Sequence, residues 1–453
     1  MFKKILIANR SEIALRILRT CREMGIDTVA IYSTEDKEAL HVNLATESVC
    51  IGGPKSTDSY LNMYSILTAA IEMGCDAIHP GFGFLSENSE FVRLCEKCNI
   101  KFIGPTADVI DKLGNKSMAR KIMMENKVPL VPGSIGSINT VEEAFEVCKK
   151  IGYPVLIKAS AGGGGRGMRV ADSENQLESQ FNTAKAEAKA CFGDDDMYIE
   201  KLIKNPKHIE FQILADEYGN VIHLGERDCS IQRKNQKMIE ESPAKSVPRD
   251  IVKKMGIDAV RAAKAANYTN VGTVEFIVDS ENNYYFIEMN TRIQVEHPVT
   301  ELITGIDLVK EQLKVAVGLK LEYIQSDIKF NGYAIECRVN AENPWSNFMA
   351  DCGEIEFLHL PAGNGVRVDS ALYQGYKISP YYDSMIAKII VHSDTRLGAI
   401  RKMRRALEET IIDGINTNIK LQHLILYNKD FVKGNYNTGF IGKELDNFLN
   451  ILK

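Results

Sequence analysis

The chain has 453 residues, 45% of them apolar and 25% charged, with a net charge of −5. At roughly 150 residues per domain this length corresponds to about three domains, each large enough to bury its own core, and the composition is that of an ordinary globular protein. The negative balance excludes a general attraction for phosphate backbones, so nucleic acid is not an expected partner, and the opening MFKKILIANRSEIA carries too short an apolar run for a secretory or membrane-spanning segment.

A cytosolic protein with no membrane association is expected, with its ten scattered cysteines reduced. Residues 5–8 are apolar, Ile13, Ile17, Cys21 and Met24 recur at helical spacing, Gly25 stops that helix, and residues 28–32 are apolar again. This is a βαβ unit. Strands at Ala77-Ile78 and Phe102-Ile103 continue the alternation, which predicts a parallel, doubly wound N-terminal domain. The first strand runs into Asn9-Arg10-Ser11-Glu12 without a G-x-G-x-x-G, which disfavours a dinucleotide site. Cys95 and Cys98 form a CxxC in a helix-like stretch with no second pair nearby, and Cys229 and Cys337 are single; all four read as core or supporting residues.

From about Lys116 the texture changes to helices alternating with hairpins. Residues 154–158 and 168–170 are strand-like and flank the run Gly162 to Gly165, Arg166 and Gly167. A Walker A loop would end in Gly-Lys-Ser/Thr and enter a helix, so this is a different phosphate device: glycine backbone approaches phosphate oxygens closely, and Lys158 and Arg166 add positive charge. A flexible loop would also be rich in glycine, but it would not need the flanking bases.

The segment VEFIVDSENNYYFIEMN, residues 274–290, reads as a hairpin turning at Glu281-Asn282. That register makes Glu275 and Glu288 cross-strand partners with Cβ atoms about 5 Å apart. Two like charges so placed repel, whereas a hard divalent cation requires such a pair. Beyond Glu288, polar groups fall at every second residue, Asn290, Arg292, Gln294 and Glu296, which an extended strand would place on one face. A cation, an amide and a carboxylate together are the groups needed to hold and deprotonate a small oxyanion. Residues 226–237 mix charges too densely for a core strand, and a solvated loop is one reading of them. Arg338, inside the apolar run 333–339, requires an anionic or polar partner. Beyond about Gly332, strands near 334–339 and 385–391 and a helix over 396–409 read as a third domain closing over the second.

On these motifs, namely IANR-x-EIALRI, HPG-x-GFLSEN, IKAS-x-GGGGRGMRV, ERDCS-x-QR, FIEMNTRIQVEHPVTE and IIDGI-x-TN, the chain resembles the biotin carboxylases of the ATP-grasp superfamily from about Lys3 to about Leu445. The resemblance implies an α/β and α+β protein with the ATP-grasp fold: a Rossmann-like N-terminal domain over 1–115, an ATP-grasp domain over 116–330 with a lid at about 131–203, and a mixed C-terminal domain over 331–447. It also implies ATP contacts at Lys116, Lys158, Gly163, Gly164, Gly165, Glu200, Lys201, His208, Gln232, Glu275 and Glu288, and ligands for magnesium or manganese at Glu275, Glu288 and Asn290. The implied bicarbonate site is Lys237, Arg292, Gln294, Val295 and Glu296, with Glu296 the base. Arg338 would stabilise the enolate-like oxygen of biotin, and Phe82 would also face biotin.

The implied reaction is phosphorylation of bicarbonate to carboxyphosphate, which carboxylates biotin. No Ala-Met-Lys-Met motif is present, so biotin is expected on a separate carrier protein, with separate carboxyltransferase subunits. Acetyl-CoA carboxylase in fatty-acid synthesis is the first expectation for the parent complex, and pyruvate or propionyl-CoA carboxylases are alternatives. Another ATP-grasp ligase is disfavoured by Glu296 and Arg338, and a silent ATP-binding subunit by the full set Lys237, Arg292, Glu296 and Arg338. Arg19, Glu23 and Arg367 match a homodimer contact of the family. Departures from its pattern are Ser11 and Ala161 for glycine, Phe82 for tyrosine, Asn235 for histidine and Asn364 for an aromatic.

Overall fold

The computed structural model describes residues 1–159 and 167–451. In the first strand, β1 (Lys4–Ile7), Ile5 and Ile7 enter an apolar cluster with Ile13, Ile17 and Cys21 of the helix Ser11–Glu23. Leu6 points the other way, into a cluster with Ile66, Leu67, Phe91 and Cys95 from two further helices. A strand buried on both faces belongs in a parallel sheet. Accordingly β1 pairs in parallel with β2 (Asp27–Ser33) and, on its other edge, with β4 (Ala77–His79), and β3 (Glu47–Gly52) and β5 (Lys101–Phe102) complete the order β3-β2-β1-β4-β5. The predicted doubly wound unit is present. Burial pushes the Cys95 thiol up to about 12, which suits a packing residue rather than a thiolate ligand.

Three strands, β6 (Val155–Ala159), β7 (Met168–Ala171) and β8 (Met197–Lys201), form a small sheet in the order β7-β6-β8. Two helices, Val141–Ile151 and Glu174–Phe192, cover it around a core of its own that includes Val155, Ile157, Leu177, Phe181 and Ile199. β6 and β7 are antiparallel with Lys158 opposite Met168, the hairpin the flanking strands predict. The glycine run itself, with Gly163, Gly164, Gly165, Ala161 and Arg166, lies outside the described residues.

The largest sheet has eight antiparallel strands. It contains β9 (Lys207–Ala215), β10 (Val221–Arg233), β11 (Gln236–Ser242), β12 (Asn270–Val278), β13 (Tyr284–Asn290) and β14 (Tyr333–Asn340), followed by the strands Met385–Ser393 and Val366–Ser370. Its order is β13-β12-β9-β10-β11-β14, then Met385–Ser393, then Val366–Ser370. The C-terminal strands are thus continuous with the sheet of the central region. They extend its sheet through the β11–β14 pairing, in which Glu240 faces Glu336.

Alternation within this sheet sorts core from site. Ile209, Phe211, Ile213, Val274 and Phe276 pack on the helix Arg249–Ala265, and Ile335, Cys337, Ala387 and Ile389 join the core of the C-terminal helices. Their sequence neighbours His208, Glu210, Gln212, Glu275, Glu336, Arg338 and Lys388 take the opposite face. Gly272 on β12 lies flush against the Tyr268 ring, where a Cβ would come within 2.5 Å of the hydroxyl oxygen. Tyr268 is fixed because its hydroxyl donates to the Val271 carbonyl at 2.9 Å. Gly272→Ala is expected to destabilise the protein by about 1–3 kcal/mol through overpacking, read as a lowered midpoint in urea with an unchanged slope.

Candidate active site

One cavity of about 1090 Å³ opens between the polar face of the large sheet, the small sheet and the N-terminal unit. Every predicted site residue that is described lines it, with the exception of Glu296. Glu296 lies directly beneath the wall, fully buried. Phe82 stands at the N-terminal side, where Asn9 donates to its carbonyl at 2.8 Å. Lys158 pairs with Glu200, which also accepts from Arg120 at 3.2 Å. Lys201 reaches the cavity, although its ammonium is turned to the Tyr153 carbonyl at 2.6 Å. Gln232 lies just before the tight β10–β11 turn, whose two residues, Lys234 and Asn235, both have positive φ, the backbone of a two-residue hairpin.

At the bottom of the cavity, the Lys237 ammonium contacts Glu210 at 2.6 Å, Glu296 at 2.7 Å and Glu275 at 3.0 Å. Burial opposes the charged lysine, but the three carboxylates outweigh it and hold its pKa well above the usual value. Glu296 shows the converse balance. Burial disfavours its charge, yet Lys237, Arg338 and Arg227 hold its carboxyl well below the ordinary range. Arg338 donates from Nη2 to Glu296 at 2.9 Å and from Nε to Glu240 at 2.6 Å, the anionic partners its place in an apolar strand required. The Cys229 sulfur is 3.8 Å from the Glu296 carboxylate; burial keeps it a neutral thiol, so it supports the base rather than the reaction.

Glu275 and Glu288 are cross-strand partners as predicted, but by a different route. The turn centres on Glu281, with the Asn282 amide donating to the Asp279 carbonyl, and a bulge at Ile287 restores the pairing. His208 sits 2.9 Å from Glu275, whose carboxyl is driven below the usual range by Lys237 and His208 against the effect of burial. Among the described residues the cation nearest Glu288 is Lys116, at 3.9 Å, and burial together with the Glu275 charge raises its pKa.

Two sequence-based expectations are corrected here. The first concerns residues 291–296, which are not a strand: the Thr291 amide donates to Glu87 at 3.0 Å instead of to a neighbouring strand, and regular pairing ends at Asn290. The helix His297–Thr304 follows directly, with Glu296 as its N-cap. The loop still delivers the predicted groups. Arg292 is held by Glu87 at 2.9 Å and donates to Gln294 at 3.1 Å and Asn290 at 3.2 Å, while Gln294 and Asn290 donate to Glu275 at 3.2 and 2.9 Å.

The second concerns residues 226–232, which form a buried strand and not a solvated loop. Their charges are paired internally: the fully buried Arg227 holds Glu210 at 2.5 Å and Gln212 at 2.7 Å, and Glu226 pairs with Arg249. Glu87, Glu210, Arg227 and Glu240 were not singled out from the sequence. The signal for Glu210 was present in β9, where His208, Glu210 and Gln212 alternate with Ile209, Phe211 and Ile213.

Two groups among the described residues have the ligand spacing of a metal site, His208/Glu210/Glu275 and Glu210/Cys229/Glu296. The Lys237 ammonium already bridges the carboxylates of both. The mutually repelling pair Glu275/Glu288, in which Glu288 comes no closer than 3.9 Å to a cation among the described residues, is the better fit to a hard divalent cation.

Residues 1–110 match the biotin carboxylase N-terminal domain family, residues 115–324 the ATP-binding domain family of the carbamoyl-phosphate synthase L chain, and residues 336–443 the biotin carboxylase C-terminal domain family. Biotin carboxylase 1 of Bacillus subtilis is 57% identical over 442 residues, which cover 97% of this chain and 98% of that protein. A crystal structure of the biotin carboxylase domain dimer of 2-oxoglutarate carboxylase from Hydrogenobacter thermophilus, in complex with MgADP, ADP and bicarbonate, matches with a TM-score of 0.95 at 51% identity, covering 99% of both chains. Biotin carboxylase of Campylobacter jejuni, crystallised as a β,γ-ATP complex, matches with a TM-score of 0.95 at 48% identity, covering 98% of this chain and 99% of that one. With its three segments matched in order and its sheets superposing over nearly the whole length, the chain belongs to the biotin carboxylase family of ATP-grasp enzymes.

Proposed function

We propose that the chain uses ATP to convert bicarbonate to carboxyphosphate and carboxylates biotin presented by a separate carrier protein, as the first half-reaction of an acetyl-CoA carboxylase in fatty-acid synthesis. The observation that carries this reading is the placement of a fully buried carboxylate, Glu296, between Lys237 and Arg338 beneath a cavity that Lys116, Lys158 and the Glu275/Glu288 pair also line. A base next to two cations suits an anionic substrate that must lose a proton.

Lys158 and Lys116 orient and neutralise the ATP phosphates, with Glu200 keeping Lys158 charged, and Gln232, His208 and Lys201 complete the nucleotide wall. Glu275, Glu288 and Asn290 would hold magnesium or manganese, which when bound supplies positive charge to the transferring phosphoryl group. Lys237, Arg292, Gln294 and the Val295 backbone position bicarbonate against that phosphoryl group, and Glu296 accepts its proton. Carboxyphosphate then splits into CO₂ and phosphate, the phosphate takes the N1 proton of biotin, and Arg338 stabilises the oxyanion on the ureido ring while Phe82 borders it. The glycine-rich segment between β6 and β7 serves as a lid that keeps water from the labile intermediate.

The domain limits 1–115, 116–330 and 331–447, the cytoplasmic location, the carboxyltransferase partners and the homodimer belong to the same proposal. Arg19, Glu23 and Arg367 lining one surface groove support the dimer. The similarity to a 2-oxoglutarate carboxylase domain makes a keto-acid carboxylase the second reading of the parent complex.

Purified protein is expected to release ADP only with bicarbonate present and faster with free biotin, measured by coupled assay; release indifferent to both rejects the reaction. Glu296→Ala is expected to bind ATP normally and to lose at least about 10²-fold in turnover, the scale of general-base loss. Glu288→Gln is expected to raise the Mg²⁺ concentration for half-maximal rate by about tenfold or more, and a normal Mg²⁺ titration would reassign the pair.

A further inference from the structure

Lys388 is a fully buried lysine on the strand Met385–Ser393, outside the set of residues given roles above. Its shortest contact is not to a carboxylate. The ammonium donates to the Val295 carbonyl at 2.8 Å, while Glu12 lies at 3.2 Å and Asp369 at 3.8 Å. Two carboxylates suffice to neutralise a buried ammonium, so charge balance alone does not account for the approach to a neutral oxygen.

That oxygen belongs to the peptide unit whose nitrogen is Glu296's, and a planar peptide held at its carbonyl is held at its far nitrogen too. The register adds a second constraint. Lys388 faces Arg338 directly across the sheet, and Arg338 holds the Glu296 carboxylate at 2.9 Å. Two neighbouring cations thus grip consecutive residues, one the main chain entering Glu296 and the other its side chain. Residues 291–295 have no strand pairing, and the helix that follows holds Glu296 through its own carbonyl, so the Val295 carbonyl is the anchor on the side from which the chain enters Glu296.

We propose that Lys388 is a positioning residue for the reaction: by holding the Val295 carbonyl it fixes the backbone from which Glu296 reaches bicarbonate. This rests on the biotin carboxylase reading above. Glu12 and Asp369 lie beside the ammonium at 3.2 and 3.8 Å and favour its charged form against the effect of burial.

The test is steady-state ADP release by the full chain with bicarbonate, ATP and biotin each varied. Lys388→Met is expected to lower kcat/KM for bicarbonate by about tenfold or more while KM for ATP stays within about twofold, because the ATP contacts lie elsewhere in the cavity. In a Glu296→Ala background the same change is expected to alter the residual rate by less than about twofold, since residues acting through one group are not additive. Lys388→Met combined with Glu12→Gln removes charge as a pair, and is expected to show the same bicarbonate defect with a thermal midpoint closer to wild type. Equal losses in the ATP and bicarbonate parameters, a full multiplicative loss in the Glu296→Ala background, or unchanged kinetics would each overturn the proposal. A wild-type enzyme dependent on bicarbonate beside a normal Lys388→Met sinks the positioning role alone; a wild type indifferent to bicarbonate sinks both readings.

Discussion

The contact on which the site depends is the Lys237 ammonium set among Glu210, Glu275 and Glu296. Two of these carboxylates are fully buried and the third nearly so. Three carboxylates so close repel one another, and the shared ammonium offsets that repulsion. Lys237 thus favours the charged form of both a candidate metal ligand, Glu275, with His208, and the candidate base, Glu296, with Arg338 and Arg227. Arg227 does for Glu210 from below what Lys237 does from above, so the cluster is anchored to the sheet as well as balanced.

Such a cluster needs a stiff support, and the sheet supplies one. Because side chains alternate, a strand that sends Ile209, Phe211 and Ile213 into the core must send His208, Glu210 and Gln212 to the other face. The same rule on β14 separates Ile335 and Cys337 from Glu336 and Arg338. Continuity of the sheet from β13 through β14 to Met385–Ser393 places the metal-type pair, the base and the two cations gripping the base loop on one surface. Lys158, Glu200 and Lys201 stand instead on the small three-stranded sheet, which has a core of its own.

Local pairing was legible from the sequence; distant pairing was not. Glu275 and Glu288 lie in one hairpin, and their pairing follows from turn length even though a bulge shifted the turn by half a residue. The parallel N-terminal sheet was readable because its apolar runs and helix stops are local. Glu240 and Arg338 are 98 positions apart, and Glu87 and Arg292 are 205 apart, so nothing in either segment names the other. Residues 291–296 misled because period-two polarity usually means a strand, yet here it arises from a loop whose polar groups turn in toward Glu275 and Glu87. Residues 226–232 misled for the opposite reason: their charges looked solvated because the partners that neutralise them come from β9 and the helix Arg249–Ala265.

The geometry around Glu296 also orders the events at the base. Its carboxylate is fully buried, so substrate reaches it only where one of its cations gives way. Lys237 has three carboxylates within 3.0 Å and is the harder to displace. Arg338 touches Glu296 through Nη2 alone while its Nε stays on Glu240, so losing one contact leaves the guanidinium charged, paired and close by. Protonation of Glu296 would then remove the attraction that drew Nη2 inward and free it for an oxyanion in the cavity. If Glu296 is the base of the proposed reaction, the proton it takes would govern how firmly it holds Arg338, so that one carboxylate bears on both groups.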